Sequence, residues 1–218
     1  EIVDPAMAGV LDATELSRGM EAAVPAVMDL SGESQSTLDM YGLDGDGDDF
    51  AYQCLFARRF AEAGVRYIEL TSNGWDHHDL ITEKLTKRCR RIDQPITALI
   101  TDLKQRGMLD DTLVIWGGEF GRTPEAQVLE GTIRDGRDHN AAGYSMWLAG
   151  GGVRGGLVYG QTDELGYETV KDAVHLHDLH ATMLYLLGID HEKLTYRYAG
   201  RDFRLTDVHG TVVKDILS

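Results

Sequence analysis

Residues 80–116 read LITEKLTKRCRRIDQPITALITDLKQRGMLDDTLVIW and join a helical pattern to a short apolar run. Apolar side chains recur at steps of three and four along one face of the helical part, at Leu85, Cys89, Ile92, Ile96, Leu99 and Leu103. This spacing predicts one amphipathic helix over Leu80–Arg106, with Gly107 placed for a C-terminal cap. The uninterrupted apolar run Thr112–Trp116 is typical of a parallel strand covered on both faces.

A second strand before the helix turns this pattern into a fold prediction. Val65–Thr71 is rich in strand formers, so that strand, helix and strand make a βαβ unit. The other predicted elements are helices at Thr14–Met28, Ala51–Ala63 and Asp178–Leu187 and a strand at Tyr144–Ala149. We therefore expect an α/β fold, a mostly parallel sheet flanked by helices, in a single domain over residues 1–218.

The composition limits the classes of partner. With 43% hydrophobic and 26% charged residues in 218, the chain has ordinary globular values. Its 21 Lys+Arg against 36 Asp+Glu give a net charge of −15, which disfavours binding to nucleic acid or to anionic membranes. No apolar run is long enough to span a membrane. Asp44–Asp48 matches only the first half of a calcium-binding EF-hand loop, which favours a flexible acidic loop there.

Three polar clusters lie where an α/β sheet would bind a ligand. Asn73–Asp79 carries two histidines and two carboxylates, Gly117–Pro124 carries Glu119 and Arg122, and Gly136–Asn140 carries His139. Singly, each has a structural interpretation, as a helix-capping turn, a local ion pair or an exposed histidine. Together they predict a metal-dependent site, because imidazole and carboxylate are ligands that zinc, manganese and iron prefer.

An iron site is an alternative interpretation of the same histidines. The stretch His77–Asp79, which includes His78, together with the distant His139 matches the pattern of two histidines and one carboxylate that holds non-haem iron. That chemistry is usually carried on an antiparallel double-sheet barrel, whereas this sequence predicts a βαβ unit. The iron alternative therefore ranks below the first interpretation.

Five motifs carry a resemblance to a known family, and together they extend over nearly the whole chain. They are Trp75–His78, Gly118–Pro124, Gly136–His139, Ala149–Gly156 and Tyr196–Leu205. They resemble an uncharacterised family of bacterial sulfatase-like proteins, the domain of unknown function 1501. That family is similar in fold to the alkaline phosphatase superfamily. The resemblance implies an alkaline phosphatase-like fold whose N-terminal part is missing from this chain, and an exported or periplasmic protein.

The resemblance also implies which residues hold metal ions. Asp76, His78 and His139 fit the superfamily's first metal site. Glu119 falls at the second, where Phe120 replaces a histidine, so that site is weaker or is completed differently. The metals implied are zinc, manganese, calcium or magnesium.

Three further residues are expected around the metal ligands. By the same resemblance, Asp138 orients His139 and His77 supports the site from behind the ligands. Arg122 binds the equatorial oxygens of the substrate or, alternatively, forms a structural ion pair.

The activity implied is metal-dependent hydrolysis of sulfate or phosphate esters of a small molecule or carbohydrate. The superfamily's nucleophile lies upstream of this chain, and Ser31, Ser34 and Ser36 are interpreted as structural. The competing hypothesis is a non-catalytic binding or scaffold protein that kept the fold.

Overall fold

The computed structural model describes residues 24–43 and 49–218. The predicted loop Asp44–Asp48 lies outside these residues, as does most of the predicted helix Thr14–Met28, of which residues 24–28 are described and helical. The described chain divides into two compact units. The first contains residues 24–43, 49–73 and 89–102, and the second contains residues 74–88 and 103–218. The prediction of one domain over the whole chain stays a prediction.

Helices build the first unit. They are α1, Gln35–Tyr41, then α2, Asp49–Glu62, and the middle of α3, Ile81–Gln105. The last two confirm the predicted helices to within two residues at each end. Ser34 Oγ accepts the Thr37 N–H at 3.1 Å and caps α1, a structural role as expected.

A group of buried charges lies inside this helical unit. The Arg58 guanidinium is 1% exposed and contacts Glu33 Oε2 at 2.7 Å, Glu62 Oε2 at 2.8 Å and Asp102 Oδ2 at 2.9 Å. The Tyr41 hydroxyl donates to Asp102 Oδ2 at 3.1 Å. Burial first, and then the Asp102 charge, raise the pKa of Tyr41 far above its usual value. The unit is therefore tied together by polar contacts as well as by its apolar core.

Short strands and one helix build the second unit. The strands are β1 Val114–Trp116, β2 Gly121–Arg122, β3 Gln127–Leu129, β4 Thr132–Arg134, β5 His139–Asn140, β6 Trp147–Ala149, β7 Gln161–Thr162, β8 Thr169–Lys171, β9 Thr195–Tyr198 and β10 Arg201–Arg204. The helix is α4, Leu176–Leu186. The strands pair as β1–β6, β2–β5, β3–β4, β7–β8 and β9–β10, and each pair is a two-stranded antiparallel sheet.

The expected mostly parallel sheet, and with it the alkaline phosphatase-like fold, is wrong. Every strand pair among the described residues is antiparallel. Val65–Thr71 forms no strand, and its Thr71 N–H donates to the Gln53 side chain at 3.2 Å. The apolar run at Thr112–Trp116 does form β1, but β1 is only half-buried and pairs antiparallel with β6. An apolar run predicts a strand, but it does not fix the direction of the strand's partner.

The last helix begins two residues earlier than predicted. Its N-cap is His175, whose side chain accepts the His177 N–H at 3.2 Å. In turn, the Asp178 carboxylate accepts the His175 N–H at 3.0 Å, and the two hydrogen bonds form a capping box.

Across the described chain, no helix has both the length and the apolar character needed to cross a bilayer.

Candidate metal centre

The loop before α3 carries the first polar cluster, and neighbouring backbone holds it in place. Trp75 packs edge-on against Trp116, with ring centroids 5.7 Å apart. The His77 carbonyl accepts the Arg137 N–H at 3.0 Å, and the Ile81 N–H donates to the Asp135 carbonyl at 2.8 Å. The segment that follows β4 therefore pins both ends of residues 77–81.

Gly136 allows these two segments to lie against each other. It is buried, and a Cβ at this position would overlap the backbone of His78 and Asp79. Backbone atoms cannot move aside as the end of a flexible side chain can. Glycine at position 136 is therefore a packing requirement of the site.

The β2–β5 pair brings the second and third clusters together. Arg122 lies directly opposite His139 in the antiparallel register, so their side chains leave the same face of the pair. Beyond the pair, the Thr123 N–H donates to the Asp138 carbonyl at 2.9 Å, and the Asp138 N–H donates to Thr123 Oγ1 at 3.1 Å. Arg122 and His139, which are 17 positions apart in sequence, thereby lie beside each other on one face of the pair.

Arg122 and His139 both contact the carboxylate of Asp76. Its Oδ1 lies 2.8 Å from His78 Nε2, 2.9 Å from His139 Nε2 and 2.7 Å from Arg122 Nη1. The ligand atoms of Asp76, His78 and His139 all lie within 4.8 Å of one another. Hydrogen bonds from His139 first, and then from Arg122, hold the pKa of Asp76 well below its usual value.

The donor set and its spacing fit a divalent transition metal. Two imidazole nitrogens and one carboxylate oxygen are ligands of zinc, manganese and iron. With bonds of about 2.1 Å, tetrahedral ligand atoms lie about 3.4 Å apart, so each imidazole nitrogen needs to move about 0.5 Å farther from Asp76 Oδ1 to admit a cation. The Asp76 side chain is 61% exposed, which leaves the site open to solvent and ligands. The three residues can therefore hold a metal after a small adjustment.

Gln127 orients the candidate ligand His78, a role that was not predicted from the sequence. Its Oε1 lies 2.9 Å from His78 Nδ1, while its backbone N–H donates to the Gly136 carbonyl at 3.1 Å. An acceptor at Nδ1 favours a proton on that nitrogen, which is the tautomer that would leave Nε2 free to bind a metal. No spacing signal connects a glutamine with a histidine 49 residues away, because only the turn of the β3–β4 hairpin brings them together.

The expected second metal site at Glu119 stays a prediction. Glu119 is exposed and is not part of the three-residue group found among the described residues. Phe120 packs on the His139 ring with centroids 4.3 Å apart, and the Arg122 guanidinium lies 5.6 Å from the Phe120 centroid. Phe120 thus restricts the His139 ring in place of the histidine that the superfamily pattern would put here.

The two expected supporting residues contact the backbone of the site. Asp138 Oδ1 accepts the backbone N–H of His139 at 2.8 Å, so it fixes the strand and not the imidazole ring. His77 is 6% exposed, and its burial lowers its pKa. His77 and His78 are adjacent in sequence, and only the second belongs to the three-residue group.

Replacing Gln127 with leucine is expected to lower zinc affinity about 10- to 100-fold, the usual loss when a ligand loses its hydrogen-bond acceptor. The measurement is a zinc titration against a competing chelator, together with the ¹⁵N shifts of His78, which report its tautomer. Gln127→Glu keeps an acceptor and is expected to retain zinc affinity. Equal zinc affinity in Gln127→Leu and the unmodified protein would contradict this role.

Comparison with known families assigns the chain to one family. A family described as a protein of unknown function, DUF1501, matches residues 2–217. The chain belongs to the DUF1501 family. A search of curated proteins and one of solved structures found no match. The predicted membership in DUF1501 is confirmed. This DUF1501 chain carries its candidate metal ligands in two of the five motifs, Trp75–His78 and Gly136–His139.

Proposed function

We propose that this DUF1501 protein is a metal-dependent hydrolase of sulfate or phosphate esters, as its sulfatase-like motifs suggest. The observation that carries the proposal is the convergence of Asp76, His78 and His139 beside the Arg122 guanidinium. Three candidate metal ligands and the positively charged Arg122 side chain lie together at the exposed Asp76 carboxylate. This arrangement suits an ester that carries a negative charge. The proposal rests on this site and not on the fold that the resemblance implied.

Each residue of the site has a task in this reaction. Asp76, His78 and His139 would hold a divalent cation, and Gln127 would keep His78 in the ligating tautomer. When bound, the cation would supply charge opposite the ester oxygens and lower the pKa of a water molecule. Arg122 binds the oxygens of a sulfate or phosphate group, because a planar guanidinium matches two of them at once.

The donor set also narrows the choice of metal. Calcium and magnesium prefer oxygen ligands throughout, whereas two of the three ligands here are imidazole nitrogens. Zinc and manganese therefore fit better than the other two metals implied by the resemblance. The substrate class remains a small-molecule or carbohydrate ester, in an exported or periplasmic protein.

Metal analysis and an ester screen on the full-length protein test the proposal. We expect about one zinc or manganese per chain and hydrolysis that a chelator abolishes and added metal restores. Metal binding without turnover of either ester class would favour the non-catalytic binding protein. A full-length protein that binds no divalent transition metal would overturn the proposal.

A non-haem iron enzyme is the second candidate, and the structure favours it more than the sequence did. The group holds two histidines and one carboxylate, and the strands around it are antiparallel, so the predicted βαβ unit no longer argues against it. The carboxylate is Asp76 and not Asp79, which pairs with Lys84. Iron in the purified protein and oxygen uptake with iron(II) would distinguish this candidate from the hydrolase.

A further inference from the structure

Three nitrogen atoms surround one oxygen atom at the centre of the candidate site. Asp76 Oδ1 lies within 2.7–2.9 Å of Arg122 Nη1, His78 Nε2 and His139 Nε2. A divalent cation held by Asp76, His78 and His139 would need this same oxygen or its partner on the carboxylate. The guanidinium and the cation therefore compete for one carboxylate, and like charges so close together repel.

The Arg122 side chain can move away from the Asp76 carboxylate without disturbing strand β2. The Arg122 backbone is paired with His139 in the β2–β5 register, so the strand stays in place while the side chain moves. The guanidinium is 26% exposed and Asp76 is 61% exposed, so the ion pair opens toward solvent. An exposed pair of this kind holds its partners weakly, and a divalent cation can displace it.

We propose that a divalent cation releases Arg122 from Asp76 and that the freed guanidinium then binds a tetrahedral oxyanion, so that cation and anion bind cooperatively. Without a cation, the guanidinium is occupied by Asp76 and is a poor anion receptor. With a cation, the charge of Asp76 is offset and Arg122 faces the open site. The inference rests on the proposed metal site and adds that the Asp76–Arg122 ion pair acts as a latch, which couples binding of the cation to binding of the anion.

Thermodynamic linkage makes the coupling measurable from both sides. If zinc raises the affinity for sulfate about tenfold, sulfate must raise the affinity for zinc by the same factor. Removing the latch is expected to raise zinc affinity, although most substitutions at a binding site lower affinity. Arg122→Gln is expected to bind zinc more tightly than the unmodified protein when sulfate is absent, because its competitor for Asp76 is gone.

The experiment titrates the full chain with zinc alone, with sulfate alone, and with each in the presence of the other. Arg134→Gln is the matched control for Arg122→Gln, since it removes the same charge from an exposed position on β4. For the metal-free protein, Asp76→Asn is expected to bind sulfate about tenfold more tightly. Its control, Asp79→Asn, removes a carboxylate from the same loop that pairs with Lys84 and not with Arg122.

A double variant separates release of Arg122 from a simple loss of negative charge. Adding Arg122→Gln to Asp76→Asn is expected to abolish the gain in sulfate affinity. If the gain persists in the double variant, or if zinc and sulfate bind independently in the unmodified protein, the latch is overturned while the metal site stands. If no zinc binds at all, the metal site and the latch both fail.

Discussion

Replacing His139 with alanine is expected to lower zinc affinity by more than about 100-fold, since loss of a ligand exceeds the 10- to 100-fold loss of a supporting residue. His139 Nε2 is one of the three ligand atoms, and two ligands in an open site hold zinc poorly. The strand that carries it should survive, because the β2–β5 pairing uses backbone atoms and the His139 side chain is 45% exposed. Competition with a fluorescent chelator measures the affinity.

His209→Ala is the matched control for this variant. His209 is an exposed histidine of the same unit that contacts the ring of His177, with centroids 5.5 Å apart, and it is not part of the three-residue group. We expect its zinc affinity to equal that of the unmodified protein. Metal-free thermal unfolding should be nearly unchanged in both variants. Unaltered zinc affinity in His139→Ala would remove this residue from the site.

Replacing Arg58 with methionine is expected to lower the free energy of unfolding by about 3–5 kcal/mol. Arg58 is 1% exposed and contacts three carboxylates, two of which, on Glu33 and Asp102, are 5% exposed. Methionine fills much of the same volume but leaves those carboxylates with fewer partners in a region that excludes water. Glu33 keeps its contact with Arg59, and Asp102 keeps its hydrogen bond from Tyr41.

Glu33 shows why the positive charge matters. Burial alone would raise its pKa, but hydrogen bonds from Arg58 and then Arg59 outweigh burial and lower it. Urea unfolding followed by circular dichroism measures the loss in Arg58→Met. Arg90→Met is the control, because Arg90 lies exposed on α3, and its change is expected to stay within about 0.5 kcal/mol.

A conservative variant keeps this prediction testable should Arg58→Met fail to fold. Arg58→Lys retains the charge but loses the fork that reaches several carboxylates, so it is expected to fall between the unmodified protein and Arg58→Met. A loss of less than about 1 kcal/mol in Arg58→Met, the size of an exposed ion pair, would contradict the assignment of a buried charge group.

Sequence patterns found the helices and the candidate ligands but not the arrangement of the strands. The period of α3 and the glycines after α2 and α3 depend on nearby residues, so those helices are confirmed at nearly the predicted bounds. The ligands Asp76, His78 and His139 were named from their chemistry and the family motifs, and the structure brings them together. Glu119 was named on the same grounds and stays a prediction, because it is not part of that three-residue group.

The sequence by itself determined the helical segments, the membership in DUF1501 and the residue types able to bind a metal. Only the tertiary structure decided that the strands pair antiparallel, that Gln127 fixes His78 and that Arg122 closes on Asp76. The physical reason is the range of the interactions. Helix periodicity and caps act within a few residues, whereas strand direction and a three-cluster site depend on contacts between segments 46 to 63 residues apart, as Arg122 and His139 are from Asp76.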